Sequence, residues 1–386
     1  MQYDFTTPNP KGTVHPFLKE AGVTDPSILP YSVAEMRFDL APEILRAMHQ
    51  VVDAGSFGYQ GPEEGYAASV TAWMRRRHGW SVQPEWMVQT SGVVVALGLA
   101  VRALTQPGDG VIVQPPVYGP FFSSVKNNGR TLIENPLKCE NGRYSMDFDD
   151  LRAKASQAKL LLLCSPHNPV GRVWTREELR ELADICLEHD LYVVSDEIHF
   201  DLDFQPHTVL VQVAPELVSR CIICTAPSKT FNLAGCGLSN IIIPDPELRS
   251  RFQTRASVEC GHYLNVFAFA AAQGAYTYGD DWLDQCKQVI RENDALVRNA
   301  FSRFCPEAVI SPLEGTYLMW IDLRCLGVDD ETLMQTLKQH LIFVNGGTFF
   351  GLQGSGFIRF NLAAPTASIQ QAMERMEQAV IQLQET

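Results

Sequence analysis

"AKLLLLCSPHNPVGRVWTREELRELADICLEHDLYVVSDEIHF", residues 158–200, contains two strand-like runs with a helical pattern between them. The leucines at 160–163 form a short apolar run ended by Pro166 and Pro169, which reads as a buried strand followed by a turn. Thr175 and Glu178 then stand at capping-box spacing ahead of Leu179, Leu182, Ala183 and Cys186, four residues on one helical face. "LYVVS" is a second strand. Strand, capped helix and strand make one β-α-β unit, whose strands run parallel.

The same alternation extends in both directions. "TSGVVVALGLAVRAL" (90–104) predicts a helix opening just after Ser91-Gly92, "DGVIVQPPVYG" (109–119) a strand ended by prolines, and "CIICTAPSK" (221–229) another strand and loop. The fold class is therefore α/β with a mostly parallel central sheet in a large domain. The first 40 or so residues are irregular and proline-rich. The end, "ASIQQAMERMEQAVIQLQ" (367–384), places Ile369, Ala372, Met373, Met376, Val380 and Leu383 at helical spacing. Both termini are expected to build a smaller α+β domain, 1–44 with 281–386, beside a large domain at 45–280.

Composition narrows the function. Of 386 residues, 46% are hydrophobic and 19% charged, an ordinary globular balance. The net charge is −13, and the single concentrated basic block is "MRRRHGW" at Met74–Trp80, so neither nucleic acid nor an anionic membrane is an expected partner. The N-terminal residues lack the basic start and apolar centre of a secretion signal, and no apolar run is long enough to span a bilayer; a cytoplasmic protein is expected. Of ten cysteines, Cys221 and Cys224 ("CIIC") have zinc-like spacing but lie in a strand-like run. The cysteines are expected to be buried thiols, with no metal or disulfide framework.

Three strand-like runs end in polar residues that the strands do not need: Asn168, Asp196 and Lys229. They are 28 and 33 residues apart, each close to one β-α-β repeat of about 30 residues. Such units bring successive strand ends to one sheet edge, where ligands of open α/β sheets bind. An amide, a carboxylate and an amine converging there suit a pyridine cofactor bearing an aldehyde: Lys229 for a Schiff base, Asp196 for the ring nitrogen, Asn168 for the phenolic oxygen. Ser91-Gly92 at a helix start and the Ser228 hydroxyl offer phosphate donors, and Tyr118 a ring to stack. Singly, each has an ordinary reading: Asn-Pro as a turn, Asp196 as a cap, Gly92 as a packing glycine, Tyr118 as a core aromatic. Spacing alone leaves a Rossmann-type or other α/β enzyme open.

"SPHNPVGRVW", "VVSDEIHFDL", "SKTFNLAG" and "NGGTFFGLQGSGFIRFNLA" together resemble the fold-type I pyridoxal-phosphate enzymes, most closely the MalY/PatB-type carbon-sulfur β-lyases that include cystathionine β-lyase. The resemblance runs from about "YSVAEMRF" to the C-terminal helix. It implies pyridoxal 5'-phosphate as cofactor, Lys229 as its lysine and general base, and Asp196, Asn168, Tyr118 and His199 around its ring. It also implies Gly92, Val93, Val94 and Ser228 at its phosphate, and Arg359, with Asn168 and Tyr118, at an amino-acid substrate. Tyr59 matches a tyrosine that reaches the neighbouring subunit's cofactor, which implies a homodimer. Some relatives also contact a transcription regulator.

Aminotransferases of this fold commonly carry arginine eight residues after the lysine and often tyrosine three after the aspartate. Here those positions are Gly237 and His199, which resembles the lyases and makes transamination the alternative. Where the lyases usually read "ADMDF", this chain has "AEMRF", so Glu35 and Arg37 depart from the pattern. The usual "T-x-S-x-K-W" is "TVHPFL" at Thr13–Leu18. If these segments border the substrate mouth, they bear on side-chain preference.

Overall fold

The computed structural model describes residues 1–9, 13–59, 61–62, 64–259 and 264–385. Seven strands share one sheet: β1 (Met87–Thr90), β2 (Gly110–Val113), β3 (Thr131–Glu134), β4 (Ala158–Cys164), β5 (Tyr192–Asp196), β6 (Cys221–Thr225) and β7 (Ser239–Ile242). Across the sheet the order is β1-β7-β6-β5-β4-β2-β3. The five strands from β6 to β3 are parallel, and β7 runs antiparallel to both its neighbours. Helices that position the site are α1 (Pro42–Ala54), α2 (Glu64–His78), α3 (Val93–Leu104), α4 (Arg176–Glu188), α5 (Pro227–Thr230), α6 (Val266–Tyr278), α7 (Asp280–Phe304) and α8 (Thr366–Gln384).

α4 starts as its sequence predicts. The Thr175 hydroxyl accepts from Glu178 N, and the Glu178 carboxylate accepts from Thr175 N at 2.8 Å. Its buried face holds Leu179, Leu182, Ala183, Ile185 and Cys186. The continuous leucines of β4 follow from burial on both faces: Leu161 and Leu163 join one apolar cluster, Leu160 and Leu162 the other, with Leu97 and Val101 of α3. The same alternation disposes of "CIIC". Cys221 and Cys224 belong to opposite clusters, so they cannot converge on one ion.

Burial of the cysteines is less complete than expected. Cys164, Cys186, Cys221, Cys224, Cys286 and Cys305 are buried and Cys236 is half-buried, but Cys139 and Cys325 are exposed. Cys139 sits on the solvent-facing strand Lys138–Glu140 and Cys325 in a one-turn 3-10 helix, two short elements that bury little of themselves.

A second, antiparallel sheet contains β8 (Val309–Ile310), β9 (Leu318–Asp322), β10 (Asn345–Gly346) and β11 (Phe357–Asn361), in the order β8-β9-β11-β10. The N-terminal segment is tied to it: Tyr31 N donates to Phe343 O at 2.8 Å, Asn361 N to Tyr31 O at 3.0 Å and Arg37 N to Ala363 O at 2.7 Å. α8 buries all six residues that the sequence spacing put on one face. α1 runs through the 44/45 boundary drawn from the sequence.

The basic block "MRRRH" ends α2, and two of its three arginines and its histidine are paired within the fold. Arg76 pairs with Asp280 and Arg77 with Asp284, both at 2.8 Å, and His78 with Asp201 at 2.7 Å. No helix among the described residues is long and apolar enough to cross a membrane.

Candidate active site

In the parallel register Cys164 of β4 lies opposite Asp196 of β5, which lies opposite Cys224 of β6. The carboxyl ends of these strands are thus adjacent, and the chain leaving them carries Asn168, Asp196 and Lys229 into one cavity of about 240 Å³. Gly92, Val93, Val94, Tyr118, His199, Ser228 and Gly237 also line it. Arg359, in the middle of β11, reaches the same place by donating from Nη1 to the Asn168 Oδ1 at 3.0 Å. Tyr59 does not line this cavity; it lies beyond the end of α1 and is 85% exposed.

Burial sets the charges. Asp196 is 6% exposed, its Oδ1 accepts from Ile198 N at 3.1 Å, and no ion pair reaches it among the described residues. Loss of water raises its carboxyl to about 7, helped by Glu197 and opposed by that hydrogen bond and by Lys229. The Lys229 amine is pushed down to about 8, first by burial and then by the Arg359 charge, against the pull of Glu35 and Asp196. Burial lowers Arg359 to about 10. Its Nη2 donates to Ser32 O at 2.6 Å, its guanidinium lies 4.9 Å from the Phe350 ring centre, and its Nε is buried with no partner. His199 is held well below its ordinary range by burial, Lys229 and Arg359, so it is neutral, and its Nδ1 is buried and unpartnered.

One wall is the start of α3. Gly92 is its N-cap, no side chain caps the first turn, and the free N–H groups with the positive end of the helix dipole suit an anion. Gly237 explains itself by conformation: its φ is 64°, and a Cβ there would stand 3.4 Å from Ser91 O. A side chain is strained in that left-handed backbone, so no arginine serves the anion end from position 237.

Sequence reasoning marked "AEMRF" by its side chains, as a segment that could border the substrate mouth, and missed the backbone of the strap Ser32–Met36. Its backbone holds the site together from above: Ala34 O accepts from Lys229 Nζ at 2.7 Å and from Tyr317 OH at 2.9 Å, and Asn361 Nδ2 donates to Val33 O and Glu35 O, both at 2.7 Å. Carbonyl acceptors carry no signature in side-chain identities, and Tyr317 stands in "GTYLMW" with no spacing to mark it. Arg37, which departs from the lyase pattern in "AEMRF", is 3% exposed. It lies 3.4 Å from Glu35, which in turn lies 3.6 Å from His15.

A parallel sheet whose carboxyl edge gathers an amine, a carboxylate and an amide from successive strands, beside a helix N-terminus, defines the fold-type I class. The family model for aminotransferase class I and II matches residues 27–376, and the chain belongs to that family. It is 41% identical over 364 residues to cystathionine beta-lyase PatB of Bacillus subtilis (strain 168), covering 93% of this chain and 94% of that protein. Protein MalY of Escherichia coli (strain K12) is 29% identical over 360 residues, 92% of each chain. Among solved structures, cystalysin from Treponema denticola, which contains a pyridoxal 5'-phosphate cofactor, superposes with a TM-score of 0.95 at 41% identity, over 99% of this chain and 100% of that one.

Proposed function

We propose that this chain is a pyridoxal-phosphate-dependent carbon-sulfur β-lyase, acting on L-cystathionine or a related L-cysteine S-conjugate to give a thiol, pyruvate and ammonia. The observation that carries the cofactor is the set of unbalanced charges around one cavity. A raised carboxyl without a cation, an amine lowered by burial and a helix start without a cap match a ring nitrogen, an aldehyde and a phosphate respectively. Relatives support the reaction: PatB is a cystathionine β-lyase by name, and Gly237 and His199 stand where aminotransferases commonly differ.

When bound, pyridoxal phosphate supplies an electron sink next to the substrate α-carbon. The chain's own groups do the rest. Asp196 holds a proton on the ring nitrogen by giving it a buried anionic partner. Asn168 has its Oδ1 occupied by Arg359, which leaves its N–H₂ to donate to the ring oxygen. Tyr118, half-buried at the wall, stacks on the ring, and the N–H groups of Gly92–Val94 with Ser228 take the phosphate. Arg359 binds the substrate carboxylate through its fork. Lys229, partly neutral near pH 8, takes the α-proton at Nζ, and the β-thiolate leaves.

The reading also extends to assembly. Tyr59, exposed and outside its own cavity, fits a residue that serves the site of a second copy, and the groove of about 390 Å³ between α1 and α6 supports a homodimer seated there. Bonds from Tyr31 and Arg37 to the second sheet and the chain flanking it support a small domain built from both ends, 1–44 with 281–386. The absence of a membrane-length helix among the described residues is in keeping with a cytoplasmic enzyme.

Incubation of the cofactor-loaded protein with L-cystathionine and other S-conjugates tests the reaction. Pyruvate is expected; its absence from every substrate ends the lyase assignment, and stoichiometric keto acid with the amine form of the cofactor replaces it with transamination.

A stability consequence follows from Asp196. In the cofactor-free protein the folded chain keeps a proton on this carboxyl between about pH 4 and about pH 7 that the unfolded chain releases. Stability therefore falls as pH rises through that window, and the full penalty is present above it. Asp196→Asn is expected to stabilise the cofactor-free protein by about 2–4 kcal/mol at about pH 8 and by almost nothing at about pH 4. Urea unfolding at the two pH values measures this; equal effects at both would contradict the buried charge.

A further inference from the structure

The strand-end sequence "DEIHFD" (Asp196–Asp201) contains a carboxylate that the chemistry above does not use, Asp201. Its side chain is wholly buried, and it accepts three hydrogen bonds. Two come to Oδ1 from α2, from Trp73 Nε1 at 2.9 Å and His78 Nε2 at 2.7 Å. The third comes to Oδ2 from the Thr230 hydroxyl at 2.7 Å. The His78 ring lies flat on Phe200, 3.9 Å between centres, which fixes the donor. Burial works against the charge, but the bonds from His78, Thr230 and Trp73 outweigh it and hold the carboxyl below its ordinary range. Arg77 adds a neighbouring positive charge, and Tyr276 is the remaining titratable neighbour.

Thr230 directly follows Lys229 in α5, a helix of four residues. One turn of helix has no stability of its own, because nucleation fixes several residues for a single hydrogen bond. Here that bond runs from Phe231 N to Pro227 O at 2.9 Å. The direction of the lysine must therefore be set from outside the helix. Phe231 packs on Trp73 at 5.3 Å between ring centres; Asn232 bonds the Met36 backbone and Lys229 Nζ the Ala34 carbonyl on the strap side, and the anchor on the α2 side is the bond from Thr230 to Asp201. Glu197, by contrast, spends its oxygens on Ser195, Leu210 N and His207, within its own loop region.

We propose that Asp201 is a positioning residue: anchored to α2 by Trp73 and His78, it grips the Thr230 hydroxyl and so fixes the turn from which Lys229 enters the cavity. The importance of this grip rests on Lys229 being the cofactor lysine, but its test does not need the cofactor.

Thr230→Val removes the hydroxyl and keeps the shape, and Thr230→Ser keeps the hydroxyl. In cofactor-free protein, competitive acylation of Lys229 by acetic anhydride across pH, read by peptide mass spectrometry, gives the titration midpoint of the amine, about 8 in the native site. The Thr230→Val midpoint is expected to rise by about half a unit or more toward the ordinary lysine value, with Thr230→Ser unchanged. In the loaded enzyme, kcat of Thr230→Val is expected to fall about tenfold with KM within about twofold, as for a misaimed reacting group, and Thr230→Ser to keep wild-type kcat. A native midpoint in Thr230→Val overturns the proposal, as does a serine variant as impaired as the valine one. A lower unfolding temperature with midpoint and kcat unchanged also overturns it, leaving Asp201 a structural anchor only. If valine prevents folding, Thr230→Ala takes its place under the same criteria. Failure of the lyase assignment appears separately, as absence of pyruvate from the wild-type protein.

Discussion

Lys229→Ala is expected to lose the visible absorption band of the lysine-linked cofactor and to lower kcat by on the order of 10²–10⁴-fold or more. The lower figure covers loss of a positioned general base alone. Loss of the amine that would hold the cofactor covalently adds to it. Few other groups stand in line to substitute. Among the titratable groups lining the cavity, none besides Lys229 offers an amine. Absorbance of the purified variant with added pyridoxal phosphate checks this directly. A persistent lysine-type band would move the attachment to another residue, and near-native kcat would remove Lys229 from the reaction.

Arg359→Lys is expected to lower kcat/KM by on the order of 10²–10⁴-fold, with cofactor binding retained. Two charge-assisted hydrogen bonds to a carboxylate, each about 1.5–3 kcal/mol, give about 3–6 kcal/mol, which corresponds to that range. Lysine keeps the charge but not the fork. The guanidinium is also braced from behind by Asn168 Oδ1 and Ser32 O, so a lysine leaves at least one of these buried acceptors without its donor. Arg359→Leu removes the charge as well and is expected to fare no better. Steady-state kinetics on one S-conjugate measures both variants. A lysine variant within about tenfold of wild type would show that the substrate carboxylate binds elsewhere.

Legibility in the sequence differed by kind of residue. The parallel strands could be read because burial on both faces makes them continuously apolar, as in "KLLLLC", and α4 because its cap is made of two side chains at fixed spacing. The convergence of Asn168, Asp196 and Lys229 could be read because β-α-β spacing carries topology with it. Backbone acceptors left no such mark: Ala34 is an unremarkable residue, and only its carbonyl matters. Arg37 could be marked as a departure from the pattern, but its burial could not be read, for a related reason. Charge in a sequence suggests surface, but here a strap between two sheets draws the side chain inside, where Glu35 answers it. Exposure of Cys139 and Cys325 was hidden because both lie in elements too short to show a period.

The strap that bonds Arg359, Asn361 and Lys229 has a bearing on when the enzyme first becomes an enzyme. Ser32 meets Arg359 across 327 positions of chain, Val33 meets Asn361 across 328, and Ala34 meets Lys229 across 195. At about 5–20 residues per second of synthesis, the strap waits roughly 20–60 s on the ribosome for its last partners. Until β11 has emerged, the nascent chain lacks both the roof of the cavity and the arginine beneath it. Lys229 therefore gains its finished surroundings only after Arg359 and Asn361 have been made and have joined the strap.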